Sequence, residues 1–238
     1  MKIYFLYSFA MVTLVLSCQN KNTSQEKEKQ RKQIEAIKAD IKKVTTTIPS
    51  KDEYTEGTTE IICDTIYPNE GFKIVLSKYD DKGYDETVNN SVFILSKLQN
   101  GNYLEIYRDS IFRRFNEIQF KDFNNDGVKD ILIENDSDVR SNLTYYLYLV
   151  DLKKDKLKKI KGFEEIKNPK NLPEYNLIDS SVMSGRDWTG FYKIQGDSIK
   201  EFDDIVYWGQ DEEGNPKNPE LDYQKTIKKI LQQEKNKR

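Results

Sequence analysis

The middle of the chain, from Thr58 to Trp208, is a series of short runs in which β-branched and aromatic residues alternate with polar ones or follow one another directly. Turn signals such as Asn100-Gly101 and Gly196-Asp197 separate these runs, which is typical of strands joined by hairpins. The pattern predicts twelve strands: Glu60–Ile66, Phe72–Lys78, Ser91–Leu98, Tyr103–Tyr107, Glu117–Phe120, Asp130–Glu134, Thr144–Asp151, Leu157–Ile160, Asn176–Val182, Phe191–Ile194, Ile199–Phe202 and Ile205–Trp208. We therefore expect a mainly β domain of antiparallel strands, arranged as a sandwich or an irregular propeller, while the lack of a strict repeat disfavours a regular many-bladed propeller.

A helix is predicted before this domain, because Ile34, Ile37, Ile41 and Val44 recur at spacings of three, four and three residues before Pro49. Such a stripe marks one apolar helix face. It is compatible with a short coiled-coil stalk or with a helix docked on the β domain. The stripe covers fewer than three heptads, which favours docking.

A second helix is predicted after the domain and after the acidic segment Asp211–Pro216. Asn218 is suited to the N-cap and Pro219 to the first helical position. The predicted apolar face consists of Leu221, Ile227, Ile230 and Leu231. This amphipathic pattern indicates a helix that packs on its own domain, with partner binding as the alternative.

The N-terminus reads as a targeting signal, because Met1-Lys2 is followed by an uncharged, mostly apolar run from Ile3 to Leu16. This run is shorter than the ~20 residues of a membrane-spanning helix. The sequence Val15-Leu16-Ser17-Cys18 resembles a bacterial lipobox, which implies cleavage before Cys18 and lipid attachment to its thiol. An ordinary secretory peptide with an incidental cysteine is the alternative. We expect an envelope lipoprotein, facing the periplasm or displayed on the outer-membrane surface.

These patterns predict five segments along the chain. Because the segment after Cys18 lacks apolar residues, it is expected to be a flexible tether. The segments are a signal peptide at 1–17, a tether at 18–33, a helix and connection at 34–57, a calcium-binding β domain at 58–208, and an acidic loop with a helix at 209–238.

The composition narrows the chemistry, because none of the 238 residues is a histidine. Nucleophile–histidine pairs and histidine-ligated metals are therefore excluded. A net charge of −2 argues against nucleic acid as a partner. If Cys18 carries lipid, Cys63 is the remaining thiol, and its apolar surroundings favour a packed small side chain over a nucleophile.

One segment, residues 122–130, has the spacing of an oxygen-ligand loop. Candidate ligands occupy positions one, three, five, seven (through the backbone carbonyl) and nine: Asp122, Asn124, Asp126, Val128 and Asp130. Gly127, at position six, permits the sharp turn that such loops need, and Ca²⁺ is the cation that prefers this ligand set. Ile133 replaces the twelfth-position glutamate of an EF-hand, so Asp130 must help to close the shell. The alternative is an ion-free turn rich in Asp, Asn and Gly. A filled calcium cage leaves no open coordination position, so a structural role is expected.

The loop resembles the calcium loops of integrin-type and VCBS-type β repeats. The wider stretch from Phe93 to Phe202 is similar to bacterial envelope proteins that carry one such loop in an irregular, propeller-like β domain. The similar segments are Phe120–Asn124 running into Asp126-Gly127, Ile131–Ile133, Arg140–Asn142 leading to Tyr146–Leu149, and Ser184-Gly185 before Tyr192–Ile194. Relatives in that group include lysozyme-inhibitor-like proteins and immunity lipoproteins directed against peptidoglycan-cleaving effectors.

The resemblance also implies a partner-binding loop, because several lysozyme inhibitors present a Ser-Gly-x-x-Tyr segment to the enzyme. This chain has Ser184, Gly185, Arg186 and Trp188, with tryptophan in place of tyrosine. Arg and Trp are enriched at binding hot spots. The alternative is that Trp188 belongs to the core and Arg186 is a solvated neighbour.

The sequence therefore predicts a calcium-stapled, non-enzymatic protein that binds another envelope protein, with inhibition of a peptidoglycan hydrolase or toxin as the role that the resemblance implies. A carboxylate-based glycan hydrolase and a scaffold or adhesion lipoprotein are the alternatives. The lysine-rich stretch Lys153–Lys161 is interpreted as a solvent-facing hairpin tip, with phosphate or lipid-headgroup binding as its alternative use.

Overall fold

The computed structural model describes residues 57–79, 88–209 and 218–236. All of them belong to the second of two units into which the chain divides, Thr55–Arg238. The predicted signal peptide, Cys18, the tether and the first helix lie outside the described residues. Within the described ranges, no helix combines the length and apolar character needed to cross a membrane.

Three four-stranded antiparallel sheets follow one another along the chain, and in each the order in space is the order in sequence. The first sheet contains β1 (Thr58–Ile62), β2 (Phe72–Lys78), β3 (Ser91–Gln99) and β4 (Asn102–Ile111). The second contains β5 (Ile118–Lys121), β6 (Asp130–Ser137), β7 (Leu143–Asp151) and β8 (Lys156–Lys159). The third contains β9 (Pro169–Leu172), β10 (Leu177–Val182), β11 (Trp188–Gln195) and β12 (Ser198–Tyr207). A 3-10 turn (Phe163–Glu165) precedes the third sheet, and helix α1 (Pro219–Asn236) follows it. The predicted mainly β fold is confirmed, and each sheet is a meander of the kind that forms propeller blades.

The second sheet is buried on both faces. Ile131 and Ile133 on β6 pack with residues of the first sheet, whereas Leu132, between them, packs toward the third sheet. On β7, Tyr148 and Leu147 divide between the same two cores. Because successive side chains of a strand point to opposite faces, both strands need continuous apolar runs.

The third sheet is covered by helix α1 on the face that points away from the second sheet. Ile227 and Ile230 of the helix pack on Phe191 and Phe202. The predicted N-cap is confirmed, since the Asn218 side-chain oxygen accepts from Leu221 N at 3.1 Å. The helix thus closes a third hydrophobic core.

The structure also corrects some predicted strand boundaries. The run Glu60–Ile66 ends as a strand at Ile62, and Cys63 begins a turn in which its thiol is fully buried with a pKa raised by that burial to about 11. The last two predicted strands form one strand, β12. Strand β9 was missed because its sequence, Pro-Lys-Asn-Leu, lacks β-branched and aromatic residues. It is an edge strand that starts with proline, where the missing N–H can be tolerated.

Candidate functional site

The oxygen-ligand loop, residues 122–129, connects β5 to β6 at one end of the buried second sheet. Asn125 and Gly127 have positive φ angles of 61° and 85°, which makes the chain turn sharply. A Cβ on Gly127 would meet no atom within 4 Å, so the backbone angle rather than crowding favours glycine there.

The loop's side-chain oxygens hold its own backbone. The Asp122 carboxylate accepts from Asn125 N at 2.6 Å and from Gly127 N at 2.9 Å. Asn124 Oδ1 accepts from Asp126 N at 3.0 Å, and Asp126 Oδ1 accepts from Val128 N at 2.8 Å. These turns, in which a side chain accepts from an N–H two or more residues ahead, fix the loop in a curled form.

Asp130 differs from the other candidate ligands because it is fully buried. One carboxylate oxygen accepts from Phe123 N at 2.8 Å, and the other accepts from Val150 N at 3.1 Å. Burial is the main reason that the pKa of Asp130 rises to about 7, and the nearby carboxylates of Asp126 and Asp122 raise it further. Asp130 therefore joins the loop to β7 through a buried carboxylate whose pKa is raised by burial and by its acidic neighbours.

The donor chemistry of the loop fits a hard cation. Carboxylate, amide and carbonyl oxygens are what Ca²⁺ binds, and Asp126 is exposed while Asp122 and Asn124 are half-buried. In the described ranges no three acidic or thiol side chains form a cluster that could hold a metal by themselves. Amide and carbonyl oxygens would thus have to contribute, as the predicted ligand set assumes. The structure leaves the calcium assignment a prediction.

Two asparagines of the β9–β10 hairpin, which sequence reasoning missed, contact the loop from outside. Asn171 Nδ2 donates to Asp122 O at 2.8 Å and to Asn125 Oδ1 at 2.9 Å. The Asn176 side chain lies 3.5 Å from the amide of Asn125. These contacts link residues about 50 positions apart, so no local pattern could have indicated them.

The candidate partner loop, Ser184–Asp187, connects β10 to β11, the two inner strands of the third sheet. Ser184 N donates to Asp187 Oδ1 at 2.8 Å, and Arg186 N donates to Ser184 Oγ at 3.2 Å. The Arg186 guanidinium stacks on the Tyr207 ring with 3.7 Å between its central carbon and the ring centroid. This cation–π contact stabilises the conformation of the loop.

Asn142, in the segment before β7, fixes the start of this loop. Its side-chain amide donates to Met183 O at 2.8 Å and accepts from Met183 N at 2.8 Å. The same amide nitrogen donates to Asp138, which is also paired with Lys167 at 2.8 Å. Asn142 lies in the segment Arg140–Asn142, which is part of the sequence resemblance. Its contact with Met183, 41 residues away, could not be read from that segment.

An aromatic surface lies beside the loop. Met183 and Trp208 are 46% and 38% exposed, and together with Trp188 and Asp187 they line a cavity of about 210 Å³. Trp188 is half-buried and packs over Gly190, where an added Cβ would lie 3.1 Å from the ring. Trp188 is therefore outside the fully buried core, and the surface includes Trp208, which the sequence pattern placed only at the end of a strand.

A pair of neighbouring glutamates, of which Glu134 is buried and Glu117 is exposed, is the second feature that the sequence pattern did not reveal. Glu134 on β6 is 4% exposed, and burial followed by the neighbouring Glu117 raises its pKa to about 7. Gln119 Nε2 donates to Glu117 Oε1 at 2.7 Å. Neither glutamate lines the 210 Å³ cavity or the larger groove beside the oxygen-ligand loop.

Comparison with known proteins assigns this chain to no family. No family model matches the chain, and no curated protein matches it. Among solved structures, the chain is similar to one described as a Xanthomonas Type IV Secretion System related protein, with 15% identity and a TM-score of 0.38 over 62% of this chain and 82% of the other. A TM-score this low carries neither fold nor function from one chain to the other.

Proposed function

We propose that this chain is a lipid-anchored, non-enzymatic binding protein of the bacterial envelope, and that its partner is another envelope protein such as a peptidoglycan hydrolase. The lipid anchor at Cys18 and the envelope location rest on the signal-like N-terminus. The partner class rests on the resemblance of the Ser184–Trp188 segment to inhibitor loops.

The observation that carries the proposal is the ordered aromatic surface around Met183, Trp188 and Trp208. Its loop is held by side chain to backbone hydrogen bonds, by the Arg186–Tyr207 stack and by Asn142. A loop that is already fixed loses little conformational entropy on binding, which favours affinity. Aromatic side chains around a small cavity are the usual anchors of protein interfaces.

In this proposal Ca²⁺ has a structural role at the oxygen-ligand loop. Asp122, Asn124, Asp126, Val128 and Asp130 would hold it, with the Val128 contribution coming from its backbone carbonyl. The ion would supply the positive charge next to Asp130 and tie the β5–β6 connection. The aromatic surface belongs to another sheet, so calcium would support the fold without touching the partner.

The test is inhibition of purified peptidoglycan hydrolases by the full chain, followed as the rate of clearing of a cell-wall suspension. We expect stoichiometric inhibition of at least one hydrolase, and a roughly 30-fold weaker effect for Trp188→Ala or Trp208→Ala, since loss of a hot spot costs about 2 kcal/mol. Tyr103→Ala is the matched control, because Tyr103 is an aromatic residue of similar exposure on the first sheet. Lack of inhibition across the panel, or equal inhibition by all three variants, would contradict the proposal.

A glycan hydrolase is the alternative, and the pair Glu117–Glu134 does not favour it. The two carboxyl groups of a glycosidase lie roughly 5–9.5 Å apart, on either side of the scissile bond. Glu117 and Glu134 are instead in direct hydrogen-bond contact and line neither the cavity nor the groove. Release of soluble glycan fragments by the chain, abolished by a single carboxylate substitution with folding intact, would establish the enzyme in place of the binder.

A further inference from the structure

A groove of about 810 Å³ lies at the end of the second sheet, separate from the aromatic surface. One side is formed by the oxygen-ligand loop and the other by β7, β8 and their connecting turn. The volume falls within the ~300–1,000 Å³ typical of small-molecule sites. Neither the proposed partner loop nor the pair Glu117–Glu134 contributes to it.

The groove has an apolar part. Five of its lining residues are aliphatic, of which Val128, Val150, Leu152 and Leu157 pack on the core shared with the first sheet and Leu149 packs on the core shared with the third. Val150 is buried and the other four are half-buried. Apolar side chains that remain partly accessible within a concavity favour an apolar ligand group, which would lose its contact with water there.

The groove also has a positive wall. Four lysines and two aspartates line it, whereas the whole chain carries a net charge of −2. Lys154 pairs with Asp151 at 2.9 Å, and Lys158 Nζ donates to Gly196 O at 2.7 Å. The side chains of Lys153 and Lys156 are exposed and make no hydrogen bond or ion pair with any residue in the described ranges. Two ammonium groups beside an apolar surface are therefore available to an anion.

We propose that this groove binds a small amphipathic anion, with an alkyl or aryl body on the aliphatic side chains and a phosphate or carboxylate head on Lys153 and Lys156. The positive charges of Lys153 and Lys156 complement an anionic head. The aliphatic residues of the groove complement an apolar body. The groove is concave, which favours a small molecule. A folded protein partner would need a larger and flatter surface than this groove offers. The groove shares no lining residue with the aromatic surface, so the anion site stands or falls separately from the binding of a hydrolase.

The experiment uses the full chain in a neutral maltoside detergent and a photoreactive alkyl phosphate that carries a diazirine. After irradiation, peptide mass mapping locates the label. We expect label concentrated on residues 149–158, displaced by unlabelled hexyl phosphate but not by hexyl glucoside or by inorganic phosphate at the same concentration. The double variant Lys153→Ala and Lys156→Ala should lower this labelling at least tenfold.

The matched control is the double variant Lys225→Ala and Lys228→Ala, which removes two exposed lysines from helix α1. It should label as the unchanged chain does. Labelling spread evenly over the chain, or labelling that the Lys153/Lys156 variant leaves unchanged, would overturn the proposal. Equal displacement by hexyl glucoside would reduce the site to an apolar groove, and equal displacement by inorganic phosphate would reduce it to a phosphate site; either result also overturns it. Binding that requires vesicles of phosphatidylglycerol and fails with hexyl phosphate would indicate a membrane contact instead.

Discussion

Asp130 and Asn142 have the same task at two different loops. Each is a polar side chain with at most 1% exposure, and each satisfies the backbone of a candidate functional loop. Asp130 accepts from Phe123 N and Val150 N beside the oxygen-ligand loop, whereas Asn142 exchanges two hydrogen bonds with Met183 at the partner loop. The Asp130 side chain can carry a negative charge, whereas the Asn142 side chain is always neutral.

That difference decides which of the two loops has a stability that depends on pH and on divalent ions. The carboxyl of Asp130 is buried near Asp122 and Asp126, so protons and cations change its free energy. Next to Asn142, Lys167 and Asn142 itself hold the pKa of Asp138 well below its usual range, so Asp138 stays ionised near neutral pH. The oxygen-ligand loop is therefore expected to depend on pH and divalent ions, and the partner loop to be insensitive to both.

The largest effect is expected for Asp130→Ala. The substitution leaves two buried N–H groups, those of Phe123 and Val150, without acceptors, and should cost about 2–5 kcal/mol of unfolding free energy. Urea denaturation measures the loss. Asp130→Asn, which keeps one acceptor oxygen, should lose less, and a loss below about 1 kcal/mol for alanine would remove Asp130 as an anchor.

Asn142→Ala should come next, at about 2–3 kcal/mol, because it leaves Met183 N and O unpaired beneath the partner loop. The loss should be the same at pH 6 and pH 8, in contrast to that of Asp130→Ala. Parallel urea titrations at the two pH values measure this. A pH-dependent loss for Asn142→Ala would break the comparison.

Removal of Ca²⁺ should have a smaller effect, confined to the oxygen-ligand loop. With an affinity of ~10⁻⁴–10⁻³ M, as in extracellular sites, 10 mM Ca²⁺ adds about 1.4–2.7 kcal/mol to the free energy of unfolding. EDTA and Asp126→Ala should each lower the melting temperature, and EDTA should not lower that of the variant further. A melting temperature that EDTA leaves unchanged would refute the calcium site.

The pH dependence in EDTA should be the most modest effect. Glu134 has a folded-state pKa of about 7 against an ordinary value of 4.5, so the folded state binds more protons. Its contribution is fully present below pH 4.5 and declines as pH rises toward 7, and Asp130 acts in the same direction. Glu134→Gln should flatten the decline measured between pH 5 and pH 8. If stability declines as steeply in Glu134→Gln as in the unchanged chain, the decline belongs to other groups.

Glu234 on helix α1 has the opposite pH dependence. Lys200 and Lys193 lower the pKa of Glu234 to about 2, so its contribution to stability is lost as pH falls below 4.5.

The sequence allowed much of the fold to be predicted because the information was local. Strand period and turn residues are read from neighbours, and the Asn100-Gly101 hairpin has the two positive φ angles, 51° and 82°, expected of its sequence. Strand β9 escaped because its position at a sheet edge, rather than its residue types, makes it a strand.

The candidate sites were predictable to a smaller extent. Asp122, Asn124 and Asp126 could be identified because their spacing with Gly127 is itself the signal. Asn142 and Asn171 could not, because each is an ordinary loop or strand asparagine until folding places it against a backbone 41 or 49 residues away. Trp208 likewise becomes part of a surface only when β12 pairs with β11.

Helix α1 completes the third hydrophobic core. The apolar face of the third sheet, with Phe191 and Phe202, is covered by Ile227 and Ile230, which follow that sheet in the chain. Until helix α1 docks, the third sheet exposes a hydrophobic surface. A chain that ends after Trp208 would keep that surface exposed. Chains that lack helix α1 should therefore aggregate through the exposed face of the third sheet.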